Sequence, residues 1–139
     1  MKKILLITIG LSISLLADFT RDDSTKIVTD NETSLQWQDN ESVSKSWQDA
    51  INYCEALTLG SYDDWRLPNI NELSSIVDDT KTSPSMSPIF QVFASYYIWS
   101  STTYASNSNS AWYVIFRYGY HDTYPKDSNL HVRCVRAGQ

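Results

Sequence analysis

A stretch of twelve residues, YDDWRLPNINEL at Tyr62–Leu73, constrains the folding of this chain more than any other. Pro68 prevents the preceding segment from continuing as a helix, and Asn69 or Asn71 can then cap a new helix. Arg66 has bulky apolar neighbours and nearby acids, so its five fixed donors suit an ion pair or loop carbonyls. A direct catalytic role for Arg66 is the alternative. The stretch predicts a set of structural residues: Trp65, Arg66 and Pro68.

The first seventeen residues differ in character from the rest of the chain. Lys2 and Lys3 precede a mostly apolar run at 4–16, and Ala17 is a small residue suited to cleavage. This order is typical of a secretory signal peptide, although bulky Leu15 leaves the exact cleavage site open. The run is shorter than the ~20 residues that span a membrane, so we expect no stable span after cleavage. Export to the periplasm, the cell surface or the medium is the prediction.

The remaining residues, 18–139, have the length of a single domain. Without the two N-terminal lysines this domain has nine basic and sixteen acidic residues, a net charge of −7. Residues 112–139 are the exception, with four basic and two acidic side chains, a net charge of +2. Overall acidity argues against nucleic acid as a partner. A local anion-binding patch in this last segment is a hypothesis that the charge pattern leaves open.

Two cysteines, Cys54 and Cys134, are separated by 79 residues. In an exported protein a single pair favours a disulfide, and neither cysteine has supporting ligands for a metal. Closing so long a loop stabilises a fold by about 4–5 kcal/mol in the chain-entropy model. We therefore predict a Cys54–Cys134 disulfide, with two free thiols or a metal pair as alternatives.

Apolar periodicity places two helices early in the chain and a run of strands late. After Ser44, apolar residues recur at spacings of three and four, which predicts a helix of about fourteen residues that includes Cys54. A second helix is predicted at about Asn71–Asp78. The predicted strands are Phe19–Thr29, Ser34–Gln38, Tyr97–Thr103, Ala111–Tyr118, Tyr120–Tyr124 and Leu130–Arg136. This order predicts an α+β domain with two helices packed on a mostly antiparallel sheet.

Motifs that would indicate an enzyme or a cofactor are missing from the sequence. It contains no nucleophile elbow, no histidine pair at zinc spacing and no glycine-rich phosphate loop. Acidic pairs such as Asp63–Asp64 and Asp78–Asp79 could bind calcium, but EF-hand spacing is absent. A hydrolase using two facing carboxylates is a further alternative. We predict no catalytic residues, no cofactor and no metal.

The late strands combine aromatic rings with cationic and polar donors. Sugars bind by stacking on aromatic faces and by hydrogen bonds, and acidic glycans add contacts to Arg and Lys. Because side chains alternate along a strand, some of these residues must point inward, and the parity is left open. The candidate ligand-binding residues are Tyr113, Arg117, Tyr118, Tyr120, His121, Tyr124 and Lys126.

Several blocks in order give the chain a resemblance to a known family. They are IVTDNETSLQWQD, YC within a helix, DWRLPNINEL, WSSTTY, AWYVIF and VRCVRAG. In this order they resemble the Lcl C-terminal domain family, named for a bacterial collagen-like adhesin. The resemblance covers about Phe19 to Gly138 and implies a C-type-lectin-like fold, related in architecture to the formylglycine-generating enzymes. In lectins of this shape a disulfide joins the first helix to the last strand.

The same resemblance implies a function in recognition, because the adhesin that named the family binds sulfated glycans. The Glu-Pro-Asn, Gln-Pro-Asp and Trp-Asn-Asp calcium motifs of sugar-binding C-type lectins are absent here. A collagen-like repeat is absent as well, so an oligomer is possible but avidity from a trimer is not assumed. The leading hypothesis is a non-enzymatic, adhesin-like domain that binds glycans or another surface macromolecule. The alternative is a structural module that binds another protein of the cell envelope.

Overall fold

The structure is a computed structural model that describes residues 18–93 and 96–138. The predicted signal peptide, residues 1–17, lies outside the described residues. Within the described ranges the strands are β1 (Phe19–Asp22), β2 (Ile27–Asp30), β3 (Leu35–Gln38), β4 (Val43–Lys45), β5 (Tyr97–Thr103), β6 (Ser110–Ile115), β7 (Tyr120–Pro125), β8 (Leu130–Val132) and β9 (Val135–Ala137). The helices are α1 (Trp47–Ala56) and α2 (Ile70–Ser75). An α+β architecture is therefore confirmed.

The strands form two sheets rather than one. Sheet 1 has the order β1-β2-β3-β9 and sheet 2 the order β4-β8-β5-β6-β7. All of their pairings are antiparallel except β5 with β8. From Phe19 onward the described chain therefore forms three strands of sheet 1, then sheet 2, and returns to sheet 1 with β9.

Two of the predicted strands are each divided in the structure. The prediction of one strand at Leu130–Arg136 is wrong, because β8 belongs to sheet 2 and β9 to sheet 1. Between them, Cys134 is buried and tied to α1 by the disulfide. The prediction of one strand at Phe19–Thr29 is also wrong, because a turn ending at Lys26, with φ of 61°, folds β2 back on β1. Alternation within a run cannot show where it changes sheets.

Both helices form close to their predicted positions but are shorter. Ser46 is the N-cap of α1, and its buried residues include Cys54, as the apolar stripe predicted. Asn69 caps α2: its side chain accepts from the backbone of Glu72, while the Glu72 carboxylate accepts from the backbone of Asn69. This reciprocal capping box explains why α2 begins at Ile70 rather than at Asn71.

The core has two parts, one toward each helix. The first contains Cys54 of α1, Trp99 of β5 and Tyr113 of β6, and the second contains Leu73 of α2 and Val114 of β6. Tyr113 and Val114 are neighbours in sequence and point to opposite sides of their strand. Sheet 2 therefore buries residues on both of its faces, and β6 contributes to each part of the core.

A disulfide joins Cys54 of α1 to Cys134, as predicted, with the two Cα atoms 5.5 Å apart. Disulfides of this kind are typical of proteins that fold in an oxidising compartment outside the cytoplasm. Among residues 18–93 and 96–138, none of the helices is long and apolar enough to cross a membrane.

The Tyr62–Leu73 stretch lies against the last strand of sheet 1. The backbone of Arg66 exchanges two hydrogen bonds with Val135, at 2.9 and 2.8 Å, while Trp65 and Leu67 on either side are buried. The Arg66 guanidinium binds both carboxylate oxygens of Glu72, at 2.6 and 2.7 Å. This side chain therefore joins the stretch to the first turn of α2.

Candidate functional site

The candidate site is built on β6, which lies between β5 and β7 in sheet 2. Its register places Ile115 opposite Tyr97 of β5 on one side and Tyr120 of β7 on the other. Residues directly opposite each other in an antiparallel pair point to the same face of the sheet. The same register places Tyr113 opposite Trp99 and Asp122, and Ala111 opposite Tyr124. One face of β5, β6 and β7 therefore carries four tyrosines.

Tyr113 occupies the middle of that face and is only 6% exposed. Its ring lies 6.0 Å from the ring of Tyr97 and 5.9 Å from that of Tyr124, centroid to centroid, and it also contacts Trp99 edge-on. Burial raises the pKa of the Tyr113 phenol, and the nearby negative charge of Asp122 raises it further. Tyr113 is thus a buried, uncharged ring on which its aromatic neighbours pack, rather than an exposed contact.

Three further tyrosines on the same face are exposed; Tyr97 and Tyr124 contact Tyr113, and Tyr120 lies opposite Ile115. Tyr97 is 42% exposed, Tyr120 67% and Tyr124 44%. We call Tyr97, Tyr113, Tyr120 and Tyr124 the tyrosine face. Rings held on paired strands lose little freedom when a ligand binds them, because the backbone beneath them is already ordered.

Lys126 lies at one end of the tyrosine face and is held by its surroundings. Its ammonium group is 3.9 Å from the centroid of the Trp47 ring of α1 and donates to the hydroxyl of Thr103 at 2.9 Å. The Trp47 indole in turn donates to the carbonyl of Ser100 at 2.9 Å. Lys126 therefore fastens the end of β7 to α1 and supplies one positive charge beside the tyrosines.

Arg117 and Tyr118 lie in the turn between β6 and β7. The predicted strand at Ala111–Tyr118 included both residues, and that end of the prediction is wrong because β6 stops at Ile115. The guanidinium carbon of Arg117 is 5.4 Å from the ring centroid of Tyr96 and 6.0 Å from that of Tyr118. The rings of Tyr118 and Tyr120 are 6.2 Å apart. This turn continues the aromatic surface past the end of the tyrosine face, with an exposed cation within it.

His121 is placed on the other side of the sheet. It pairs with Val114, whose side chain belongs to the core beside α2. The His121 ring contacts Trp112 edge-on at 5.4 Å, and Trp112 contacts Tyr104 in the same manner at 5.5 Å. The seven predicted residues therefore do not form one patch, because His121 faces away from the tyrosines.

The positive charge predicted for the C-terminal segment is largely buried. Arg133 and Arg136 are each 5% exposed. Arg133 donates to Asp39 at 2.9 Å and to the Gln38 carbonyl at 2.6 Å, and Arg136 donates to Asp64 at 2.6 Å. The Arg136 hydrogen bond lowers the pKa of the Asp64 carboxyl. Only the other two basic residues of the segment, Arg117 and Lys126, contribute charge at the surface.

A family model described as the Lcl C-terminal domain matches residues 26–136. The chain belongs to the Lcl C-terminal domain family. None of the curated proteins compared with the chain matches it. The matched range contains the whole tyrosine face and both cysteines of the disulfide, so the candidate site lies inside this Lcl C-terminal domain rather than in an extension of it.

The tyrosine face of this Lcl C-terminal domain presents aromatic rings and phenol hydroxyls, which can stack and form hydrogen bonds. Both cysteines are joined in the disulfide and supply no thiolate nucleophile. Over residues 18–93 and 96–138, no three His, Cys, Asp or Glu side chains are close enough together to hold a metal ion. The aromatic rings and phenol groups remain as the groups that a ligand would meet.

Two residues of the site were not among the predicted ligand contacts. Tyr97 is on β5, and Trp47 is at the start of α1. Tyr97 was within reach of sequence reasoning, because it lies two positions before the buried Trp99 and therefore shares its face. Trp47 was not, since its place beside Lys126 depends on how α1 packs against sheet 2, which no local pattern encodes.

Proposed function

We propose that this Lcl C-terminal domain is an exported, non-enzymatic recognition domain that binds glycans through the tyrosine face. The observation that carries the proposal is a set of three exposed rings on one face of sheet 2: Tyr97 and Tyr124 contact the buried Tyr113, and Tyr120 lies opposite Ile115 on the same face. Sugar rings present C–H groups that stack on such planes, and phenol hydroxyls can bond to sugar hydroxyls.

The charge around the tyrosine face bears on the kind of glycan. Asp122 pairs with Tyr113 and is exposed, while Lys126 is half-buried against Trp47. Arg117 lies beyond the end of β6. With so few exposed cations, stacking rather than charge supplies most of the proposed affinity. Sulfated or acidic glycans would gain from Arg117 and Lys126 alone.

The proposal includes a C-type-lectin-like form of the α+β fold. The supporting observation is that the disulfide links the first helix, α1, to the segment just before the last strand, β9. A link of this kind fixes the C-terminal segment to α1 beside the core. It leaves the strands of sheet 2, including the edge strand β7, to present ligand-binding groups.

Screening the mature, oxidised domain on a glycan array is the experiment that tests this function. We expect saturable binding to a limited set of glycans, and no cleavage of any bound glycan after prolonged incubation. Raising the salt concentration should weaken binding only modestly, because exposed charge pairs are few and salt screens charges over roughly 8–10 Å. Absence of binding to every glycan, or turnover of a bound one, would contradict the proposal.

A protein partner in the cell envelope is the second candidate, and the position of β7 favours it. This strand is at the edge of sheet 2, so the outer side of its backbone has no neighbouring strand in the described chain. An extended peptide can add to such an edge, and tyrosines are enriched at protein interfaces. Co-purification of one envelope protein with the native domain, lost when Thr123 is replaced by Pro, would favour this candidate.

A further inference from the structure

A groove of about 200 Å³ lies between sheet 1 and the turn that follows α1, on a part of the domain separate from the tyrosine face. Asp22 of β1, Thr29 of β2 and Gln36 of β3 contribute to one side of it, and Tyr62 contributes to the other. The register of sheet 1 pairs Asp22 with Ile27 and Thr29 with Gln36, so these side chains share one face.

The turn that forms the second wall is fixed by its own backbone. Leu59 and Tyr62 exchange two hydrogen bonds, at 3.0 and 3.1 Å, around Gly60 and Ser61. Both central residues have positive φ, 62° and 66°, as a tight two-residue hairpin turn requires. A Cβ atom on Gly60 would lie 2.5 Å from the side chain of Ile27, so the turn sits closely against sheet 1.

The ring of Tyr62 is held by a cation on one side. The guanidinium carbon of Arg136 lies 3.7 Å from the ring centroid. Arg136 itself is buried and is fixed by hydrogen bonds to Asp64 and to the side-chain oxygen of Gln36. Tyr62 is nevertheless 42% exposed. The cation covers one face of the ring, and the part that stays exposed is available to a ligand in the groove.

The polar groups of the groove have hydrogen-bonding capacity to spare. The Thr29 hydroxyl accepts from the Gln36 amide at 3.3 Å, which leaves its own proton to donate. One carboxylate oxygen of Asp22 accepts three hydrogen bonds from Ser24 and Thr25, and the other accepts none from the described residues. These hydrogen bonds, led by the Ser24 hydroxyl, lower the pKa of the Asp22 carboxyl, so it carries a negative charge at neutral pH.

We propose that this groove is a binding site for one uncharged sugar ring, distinct from the tyrosine face. The partly exposed ring of Tyr62 supplies a stacking plane, and Thr29, Gln36 and Asp22 supply a donor, an amide and an acceptor for vicinal hydroxyls. The volume is below the roughly 300 Å³ at which pockets begin to hold drug-sized molecules, which matches a ligand of a single ring. The Asp22 charge disfavours anionic sugars, since none of the residues that line the groove is a cation and the buried Arg136 lies behind the Tyr62 ring.

Amide chemical shifts of the ¹⁵N-labelled oxidised domain can test this site with four neutral probes, the methyl glycosides of glucose, galactose, mannose and N-acetylglucosamine. We expect at least one probe to shift the amides of Thr29, Gln36 and Tyr62 saturably, with a dissociation constant on the order of millimolar. The methyl glycoside of glucuronic acid should bind more weakly than its neutral counterpart. If none of the probes causes saturable shifts of the groove amides, the proposal is overturned.

Two substitutions separate a direct role from a structural one. Thr29→Val keeps the shape of the side chain and removes the hydroxyl, and Tyr62→Ala removes the stacking plane. Each should weaken binding about fivefold or more. Thr20→Val is the matched control, because Thr20 pairs directly with Thr29 on the same face but does not line the groove. Equal affinity of Thr29→Val and Thr20→Val would overturn the assignment.

The same spectra distinguish this site from the tyrosine face. Binding at the groove shifts amides of sheet 1, whereas binding at the tyrosine face shifts those of β5, β6 and β7 in sheet 2. The variant with both Tyr120→Ala and Tyr124→Ala should therefore keep the groove shifts. Their loss in that variant would contradict two separate sites.

Discussion

At the scale of single residues, ion pairs with similar exposure differ in what they connect. Arg66 and Lys81 each have 44% of their side chain exposed, and each binds a nearby carboxylate. Arg66 makes two hydrogen bonds to Glu72, which also caps the backbone of Asn69, whereas Lys81 makes a single 3.4 Å contact with Asp78. The fork geometry of arginine thus supports a helix start, which a lone ammonium contact does not.

Arg66→Ala should lower the melting temperature of the domain. The loss removes two charge-assisted hydrogen bonds to Glu72, and because the pair is partly exposed we expect about 0.5–1 kcal/mol. Thermal unfolding followed by circular dichroism measures the change, with Lys81→Ala as the control that shifts it less. An unchanged melting temperature together with lost ligand binding would instead assign Arg66 to the binding site.

His131 should make the stability of the domain depend on pH between about 7 and 5. Burial lowers its pKa from the ordinary value of 6.5, and its Nδ1 atom lies 2.8 Å from the Ser42 hydroxyl. Below pH 6.5 the unfolded chain therefore binds more protons at this residue than the folded chain does, and stability falls as pH falls. The paired carboxyls with lowered pKa, such as Glu72, stay ionised across this window and lose their contribution only below it.

Urea denaturation of the wild type and of His131→Gln at several pH values measures that effect. The wild type should lose stability from pH 7 to 5, and the variant should show a flatter profile over the same range. If the stability of His131→Gln falls with pH as steeply as that of the wild type, another group is responsible.

At the scale of elements, the sequence was most informative where local chemistry decides the outcome. The apolar stripe through Cys54 and the cap at Asn69 are local signals, and both helices formed beside them. The split of Leu130–Arg136 into β8 and β9 was not predictable in this way, because the single break in its alternation, the adjacent Cys134 and Val135, does not by itself show that the chain changes sheets there. What divides it is the disulfide at Cys134 and the buried pairing of Arg133 with Asp39, which are contacts with distant parts of the chain.

Asp39 is the residue through which several elements are joined. Its carboxylate is fully buried and accepts from Arg21 of β1 at 2.7 Å and from Arg133 at 2.9 Å. It also accepts from the backbones of Gln91 and Val92, at 3.0 and 3.1 Å. One carboxylate therefore holds the segment at 91–92 against both ends of the domain.

Asp39→Ala should destabilise the domain strongly, by about 3–5 kcal/mol, since it leaves the buried charge of Arg133 without its partner. Asp23→Ala is the matched control: Asp23 also pairs with Arg21, but its side chain is 77% exposed. We expect that control to cost less than about 1 kcal/mol. Equal losses in urea denaturation would contradict the role given to Asp39.

At the scale of the whole molecule, the last strand joins the sheet that contains the first three strands, and the disulfide ties the segment before it to α1. Cys134 lies between β8 of sheet 2 and β9 of sheet 1, and its partner is on α1. The charge of the last segment could be counted from the sequence, but its burial could not, because Arg133 and Arg136 pair with acids far away in the chain. Three tyrosines of the candidate site, Tyr113, Tyr120 and Tyr124, were therefore named from the sequence, whereas Tyr97 and the burial of the positive charge were not.

Replacing both cysteines with alanine should reduce stability by about 4–5 kcal/mol in the chain-entropy model, since the closed loop spans 80 positions. Intact mass measured with and without reductant should differ by two hydrogens in the wild type. Two thiols that react freely in the native, unreduced protein would contradict the disulfide in solution.

The most direct test of the account is the affinity of the oxidised domain for a glycan identified on the array, measured with and without the tyrosine face. The double variant Tyr120→Ala and Tyr124→Ala should remain folded, because both rings are well exposed, and should bind at least about tenfold more weakly, as expected for the loss of two stacking contacts. The control variant His121→Ala replaces an exposed residue on the opposite face of β7, and it should bind as the wild type does. A folded double variant with unchanged affinity would contradict the claim that the tyrosine face is the binding site.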